Sequence, residues 1–179
     1  MGKFNISKGI VENIKSLHSQ SRFSVLTGGT ISEDFGASIG VRQGCPLSPC
    51  LFNLFLEQII AETLHNFEGT ITVGGRKVNN LRFTDDIDLL ASSIAELDEL
   101  TRRLDKASAD FGMEISADKS KILSMGIEGV QPVIGVKGGK LEAVQTFKYL
   151  GATITKDGRS TADTKIRIAI GRFMNYFQL

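Results

Sequence analysis

The stretch Leu-Arg-Phe-Thr-Asp-Asp-Ile-Asp-Leu-Leu-Ala-Ser occupies residues 81–92 and decides how the chain is interpreted. Apolar and β-branched residues flank Asp85 and Asp86, which predicts two short strands with the acidic pair at or next to the tight connection between them. Neighbouring carboxylates repel each other unless a positive charge lies between them. Such oxygen ligands suit Mg²⁺, which takes one or two protein carboxylates and leaves its other positions to water and phosphates. A solvated acidic turn is the alternative interpretation.

The residues around the pair favour a site over a simple turn. Apolar side chains are predicted to anchor the hairpin in a core while the charges stay at its edge: Phe83, Ile87, Leu89 and Leu90. Strand alternation places Asp88 on the same side as Asp86. Asp88 is therefore either a third oxygen ligand or an ordinary charge that faces solvent.

Length and composition indicate an ordinary globular protein. A chain of 179 residues holds one domain with a core, or a domain and part of a second. Hydrophobic residues at 41% and charged residues at 23% exclude a disordered or collagen-like chain. The sequence has no apolar run of membrane length and no leader, which predicts a soluble intracellular protein of the cytoplasm or nucleus. Cys45 and Cys50 have no partners at metal-site spacing and are predicted to be buried thiols.

Charge is distributed unevenly although the net charge is only +1. Residues 81–118 contain four Lys and Arg against ten Asp and Glu, and residues 145–179 contain six against two. An acidic centre and a basic tail suit a protein that holds a metal in one place and a polyanion in another. Solvated helix faces explain part of the acidic excess equally well.

Two helices have clear sequence limits. Ser48 is placed to cap a helix that begins at Pro49 and runs to about His65. Its apolar residues cover most of its circumference, so we expect it to be packed on nearly every side. Ser93 and Glu96 form a capping box for a second helix, which Gly112 ends. The glycine pair 28–29 predicts a hairpin before the first of these helices, and the pair 74–75 predicts one between the two helices, ahead of the acidic hairpin.

Four segments, taken in order, resemble the palm motifs of reverse transcriptases, most of all those of non-long-terminal-repeat retrotransposons. Residues 40–56, Gly-Val-Arg-Gln-Gly-Cys-Pro-Leu-Ser-Pro-Cys-Leu-Phe-Asn-Leu-Phe-Leu, are similar to the second palm motif almost residue for residue. Phe83-Thr84-Asp85-Asp86 resembles the catalytic Tyr/Phe-x-Asp-Asp box, with a less usual Thr as filler. Residues 112–124 resemble the segment that carries a nucleotide-binding lysine, and residues 147–151 resemble the primer-gripping strand.

The resemblance implies an α+β fold, an RNA-recognition-motif-like polymerase palm whose antiparallel sheet has helices on one face and lacks the first palm strand. Residues 1–155 are expected to form a partial palm without the fingers and the first palm motif. Residues 156–179 are expected to start a thumb helix. The βαββαβ order read from Pro49 onward agrees with this architecture.

The resemblance also assigns residues and ligands. Asp85 and Asp86 are the expected catalytic ligands of a two-metal Mg²⁺ site, and Lys119 is the expected catalytic lysine near the triphosphate. The expected substrate-binding residues are Gln43, Gly44, Phe83, Lys148, Tyr149, Leu150 and Gly151. The implied partners are an RNA template, a DNA primer and deoxynucleoside triphosphates, with no membrane.

The first palm motif of this family supplies another metal-binding Asp, and the sequence from Met1 begins too late to contain it. The chain alone is therefore expected to be inactive or very weak in RNA-templated DNA synthesis, and to need the upstream fingers and palm segment. An alternative is a non-catalytic module that keeps the palm fold and binds nucleic acid or a protein. An unrelated acidic-site phosphotransferase is disfavoured because two motifs match.

Overall fold

The computed structural model of the chain describes residues 4–19, 21–36, 40–125, 132–159 and 163–165. These residues form three helices, labelled α1 to α3 below, and fourteen short strands, β1 to β14. The chain divides into two compact units, Met1–Gln58 and Ile59–Leu179, and each is described by itself. None of the described helices has the length and apolar character needed to cross a membrane.

The first unit begins with helix α1, Lys8–Ser19, which buries none of its residues. Two small antiparallel ladders follow it. Strand β1, Arg22–Phe23, pairs with β4, Phe35–Gly36, and strand β2, Leu26–Thr27, pairs with β3, Thr30–Ile31. Gly28 and Gly29 both have positive φ in the turn between β2 and β3, which confirms the predicted hairpin.

Helix α2, Ser48–Thr63, crosses the boundary between the units. It begins at Ser48 and not at Pro49, since Leu51 N already donates to Leu47 O at 3.0 Å. The Ser48 hydroxyl, predicted to cap the helix, donates instead to Arg42 O at 2.6 Å. Leu56 is buried in the first unit, whereas Phe55 remains 39% exposed. The prediction of a helix packed on nearly every side is therefore wrong at Phe55.

The second unit opens with two hairpins. Strands β5, Thr72–Val73, and β6, Arg76–Lys77, pair across Gly74–Gly75, as the glycine pair predicts. Strands β7, Asn80–Phe83, and β8, Asp86–Leu89, form the acidic hairpin. Both ladders are antiparallel, and both strands of each are joined by a two-residue turn.

Helix α3, Ile94–Asp110, carries the core of the second unit. Ser93 caps it by accepting from Glu96 N, and Phe111 and Gly112 end it, as predicted. Leu104 and Ala107 pack with Ile59 and Ile60 in one buried cluster. Half-buried apolar side chains cover this cluster: Leu64, Ile87, Leu89, Phe111, Met113 and Ile115.

Three further ladders follow α3. Strand β10, Gly135–Val136, pairs with β11, Gly139–Lys140, in a short hairpin, and strand β12, Glu142–Ala143, pairs in parallel with β9, Lys121–Ile122. Strand β13, Thr146–Tyr149, pairs antiparallel with β14, Ala152–Thr155. Residues 163–165 are helical, while residues 160–162 and 166–179, which make up most of the expected thumb segment, lie outside the described residues.

The α+β class is confirmed, and it is built from small sheets. Among the described residues each strand has a single partner, so seven two-stranded ladders stand where one antiparallel sheet was expected. The ladder of β12 with β9 is also parallel, which the sequence did not predict. The assignment to an RNA-recognition-motif-like palm stays a prediction, and so do the expected limits of palm and thumb.

Candidate metal and substrate site

The turn between β7 and β8 consists of Thr84 and Asp85. Asp86 is the first residue of β8 and pairs with Phe83, so the acidic pair lies at the hairpin tip as predicted. Thr84 takes the left-handed conformation that such a turn requires, with φ of 53°, which is costly for a β-branched residue. Its hydroxyl lies 2.7 Å from Phe83 O and 2.9 Å from Asp85 Oδ1, and its single proton is shared between them.

The two faces of β8 have opposite character. Ile87 and Leu89 pack against the buried cluster of the second unit, so Asp86 and Asp88 face away from it. The cross-strand partners of these acids are Phe83 and Leu81, which are exposed. The expectation that Phe83 anchors the hairpin in a core is therefore wrong, since the ring is 55% exposed on the acidic face.

Tyr149 of β13 lies near this acidic face. Partial burial, and then the nearby carboxylates of Asp88 and Asp86, raise the pKa of the Tyr149 hydroxyl. The pKa of Asp88 is raised for the same reasons, with burial as the larger cause and the Asp86 carboxylate as the smaller. Within the second unit, the acids of one hairpin thus act electrostatically on a phenol of another.

The β13–β14 hairpin separates the predicted primer-binding residues onto two faces. Leu150 and Gly151 form its turn, both with positive φ, which is the arrangement of a type I′ turn. Lys148 and Tyr149 are neighbours in a strand and so point to opposite faces. Lys148 therefore lies on the face opposite to Tyr149, which it shares with its cross-strand partner Thr153.

Gln43 and Gly44 lie in an exposed turn of the first unit, ahead of α2. Gly44 has φ of 79°, and a Cβ there would meet no atom within 4 Å. Within this unit the glycine is therefore required by its backbone conformation.

The two cysteines flank the start of α2. The prediction that both are buried is wrong, because Cys50 is exposed and Cys45 is half-buried. A backbone hydrogen bond from Leu47 is the main cause that lowers the pKa of the Cys45 thiol. The hydroxyl of Ser48 and the positive charge of Arg42 lower it further.

Lys119 lies in an exposed turn, residues 117–119, between α3 and β9. An open cavity of about 320 Å³ adjoins that turn and is lined by Glu114, Ile115, Ser116, Ala117, Asp118 and Gly138. Neither Lys119 nor the two hairpin acids line this cavity. The role of Lys119 near a nucleotide remains a prediction from the resemblance.

The carboxylates at the hairpin tip are the type of ligand that Mg²⁺ prefers. Asp85 and Asp86 are both exposed and offer hard oxygen ligands. In the part of the chain that the structure describes, no three His, Cys, Asp or Glu side chains converge into a metal-binding group. An acidic pair suits an ion that completes its shell with water and substrate phosphates, and it does not make an all-protein cage.

Glu96 has a role that the capping box only half predicted. Its carboxylate accepts from Thr70 N and from Ser92 N, each at 2.9 Å, and from the hydroxyl groups of both residues. It therefore joins the segment that follows β8 to the segment that precedes β5. The spacing from Ser93 identified Glu96 as a capping residue, but nothing in the sequence indicated Thr70.

Known proteins resemble most of the chain. The sequence model of the family described as "Reverse transcriptase (RNA-dependent DNA polymerase)" matches residues 4–154. The chain is 32% identical over 173 residues to the "Retrovirus-related Pol polyprotein from type-2 retrotransposable element R2DM" of Drosophila melanogaster, with 87% of this chain and 16% of that protein aligned.

Two further relatives are polyproteins described as "Retrovirus-related Pol polyprotein from type-1 retrotransposable element R2". The one from Popillia japonica is 25% identical over 167 residues, which cover 88% of this chain and 28% of that protein. The one from Nasonia vitripennis is 30% identical over 141 residues, which cover 73% of this chain and 13% of that protein. The chain thus spans less than a third of the length of each of these relatives.

Proposed function

Because the chain belongs to the reverse transcriptase family, we propose that it supplies palm residues for RNA-templated DNA synthesis within a retrotransposon polymerase. The observation that carries the proposal is the acidic hairpin, in which Asp85 and Asp86 stand exposed at a tip that Ile87 and Leu89 anchor to a core. Rigid support of exposed carboxylates is what a site for a metal and phosphates requires.

In this proposal Asp85 and Asp86 hold the Mg²⁺ ions of a two-metal site, with a further ligand from an upstream segment. When bound, such ions supply charge that favours attack by a primer 3′-hydroxyl and departure of pyrophosphate. Strand β8 supports the carboxylates at the hairpin tip. The hydrogen bond from the Thr84 hydroxyl restricts the orientation of the Asp85 carboxylate. Their negative charge attracts the cations, and the cations in turn bind the phosphates of the substrate.

The other residues bind the substrates. Lys119 holds the triphosphate by its charge and can donate a proton to pyrophosphate. Tyr149 and Leu150 contact the primer terminus beside the acids, which is consistent with the raised pKa of Tyr149. Lys148, on the opposite face of its strand, contacts the phosphate backbone away from the reacting atoms. Gln43 and Gly44 border the incoming nucleotide.

Primer extension on an RNA template with Mg²⁺ tests the proposal. We expect no product from the 179-residue chain and measurable product after upstream extension through an Asp-bearing strand. In the extended protein, Asp85→Asn should lower the rate about 1000-fold, because one of the carboxylates that hold the cations is lost while only Asp86 and the upstream Asp remain. Asp98→Asn removes one negative charge from the exposed side of α3 and should leave the rate within about twofold.

The second candidate is a binding module that keeps the fold without catalysis, and the exposed apolar pair Leu81 and Phe83 favours it. An extended protein that makes no product, yet binds a primer–template duplex with an affinity that falls steeply with salt, would support this function. Product formation that depends on Asp85 would exclude it. The two candidates are therefore separated by the same set of proteins.

A further inference from the structure

The β13–β14 ladder leaves hydrogen-bonding groups on its outer edges. Lys156 N donates to Gln145 O at 3.0 Å, just beyond the ends of the two strands, so this is a hydrogen-bonded pair. Such pairs alternate along an antiparallel ladder. The pair of Thr153 with Lys148 is then of the other kind, and the Thr153 N–H points to the free edge of β14. A donor on an open edge needs a partner from outside the ladder.

Asp163 provides that partner. Its carboxylate accepts from Thr153 N at 2.9 Å in a half-buried position, although the two residues are ten apart in sequence. Residues 163–165 are helical, so a charged side chain on a helical segment takes the place of a third strand. Hydrogen bonds to an ionised carboxylate are stronger than neutral ones, and this bond holds Asp163 against the edge of β14.

The strand that is held in this way belongs to the hairpin with the proposed primer-binding residues. Thr153 is paired with Lys148, one step from Tyr149 and two from the turn at Leu150. Any shift of β14 along its edge is therefore transmitted directly to these residues. The Asp157 carboxylate, by contrast, accepts from Arg159 N and from the Thr155 hydroxyl, so its bonds remain within residues 155–159, at the end of β14 and in the turn that follows.

We propose that Asp163 is a positioning residue that fastens the segment after β14 to the free edge of that strand, and so fixes the hairpin that presents Lys148 and Tyr149 to a primer. The inference rests on the proposed function, since it assigns a purpose to a contact within that site. It names a residue that none of the matched motifs contains.

Amide exchange of Thr153 in the 179-residue chain tests the contact itself. We expect Asp163→Ala to accelerate exchange at this amide about tenfold relative to the parent chain. Asp163→Asn keeps an acceptor oxygen and should stay within about threefold, and Asp157→Ala should leave the amide unchanged. Unaltered exchange in Asp163→Ala would overturn the inference, whatever the protein does with nucleic acid.

Primer extension by the upstream-extended protein tests the positioning role. Asp163→Ala should raise the KM for primer–template about tenfold and shorten the products, while kcat for the first nucleotide stays within about twofold. If Asp163→Ala instead lowers kcat about tenfold and leaves KM unchanged, Asp163 only supports folding, and the positioning role is overturned. If parent and Asp85→Asn proteins are equally inactive, the proposed function fails, and the positioning role fails with it whatever the exchange result.

Discussion

Replacement of Glu96 by Gln tests how the acidic hairpin is joined to the rest of its unit. The Glu96 carboxylate accepts two backbone N–H bonds and two hydroxyl bonds from Thr70 and Ser92, and Ser92 lies three residues beyond the end of β8. Glutamine keeps one acceptor oxygen. If that oxygen accepts from Ser92 N, the glutamine NH₂ group faces Thr70 N. Both of these groups are donors, so the hydrogen bond from Thr70 N is lost.

The size of the effect follows from these contacts. One bond is lost, the remaining bonds change from charge-assisted to neutral, and the favourable charge near the start of α3 disappears. Because Glu96 is half-exposed, solvent replaces part of the loss. We expect Glu96→Gln to lower the free energy of unfolding at pH 7 by about 1–2 kcal/mol.

The loss of unfolding free energy in Glu96→Gln should depend on pH in a defined direction. Partial burial raises the pKa of Glu96, but the hydrogen bonds from Thr70 and Ser92 outweigh it, and the pKa is lowered from its ordinary value of 4.5. A lowered folded pKa stabilises the protein above pH 4.5, and this stability is lost as the pH falls through the folded pKa. The deficit of Glu96→Gln should therefore be present at pH 7 and smaller at pH 3.

Urea unfolding followed by circular dichroism at both pH values measures this. Asp98→Asn is the matched control, because it removes a carboxylate from the same helix that only pairs with Arg102 at the surface. It should cost less than about 0.5 kcal/mol. No loss for Glu96→Gln at pH 7, or the same loss at both pH values, would contradict the account of Glu96.

Two further predictions concern the hairpins of the site. Leu150→Asn should stabilise the chain by about 0.5–1 kcal/mol, since Asn-Gly suits a type I′ turn better than Leu150 at φ of 47°; it should also raise the KM for primer–template in the extended protein. A lower unfolding midpoint in urea would refute it. Asp88→Asn should raise the unfolding midpoint at pH 7, because burial and then Asp86 raise the pKa of Asp88 and penalise its charged form. The gain should vanish below about pH 3.8, where Asp88 is protonated in both states, and a gain that persists there would refute the cause.

The sequence by itself determined the local features of the site. Alternating apolar residues around Asp85 and Asp86 indicated the hairpin, and the spacing of Ser93, Glu96 and Gly112 indicated the limits of α3. These patterns concern residues within a few positions of each other, where backbone geometry fixes which side chains meet. The family motifs added the resemblance to reverse transcriptases, which the match to residues 4–154 confirms.

Only the tertiary structure decided which distant groups meet. The bond from Thr153 to Asp163 and the bonds from Thr70 to Glu96 join separate elements, and Asp88 and Asp86 raise the pKa of Tyr149 from another hairpin. The same holds for exposure, since the Phe83 ring turns out of the core when Ile87 and Leu89 fill it. A hydrophobic pattern gives each strand an apolar face, but packing of the whole unit selects what covers that face and which polar groups remain for a substrate.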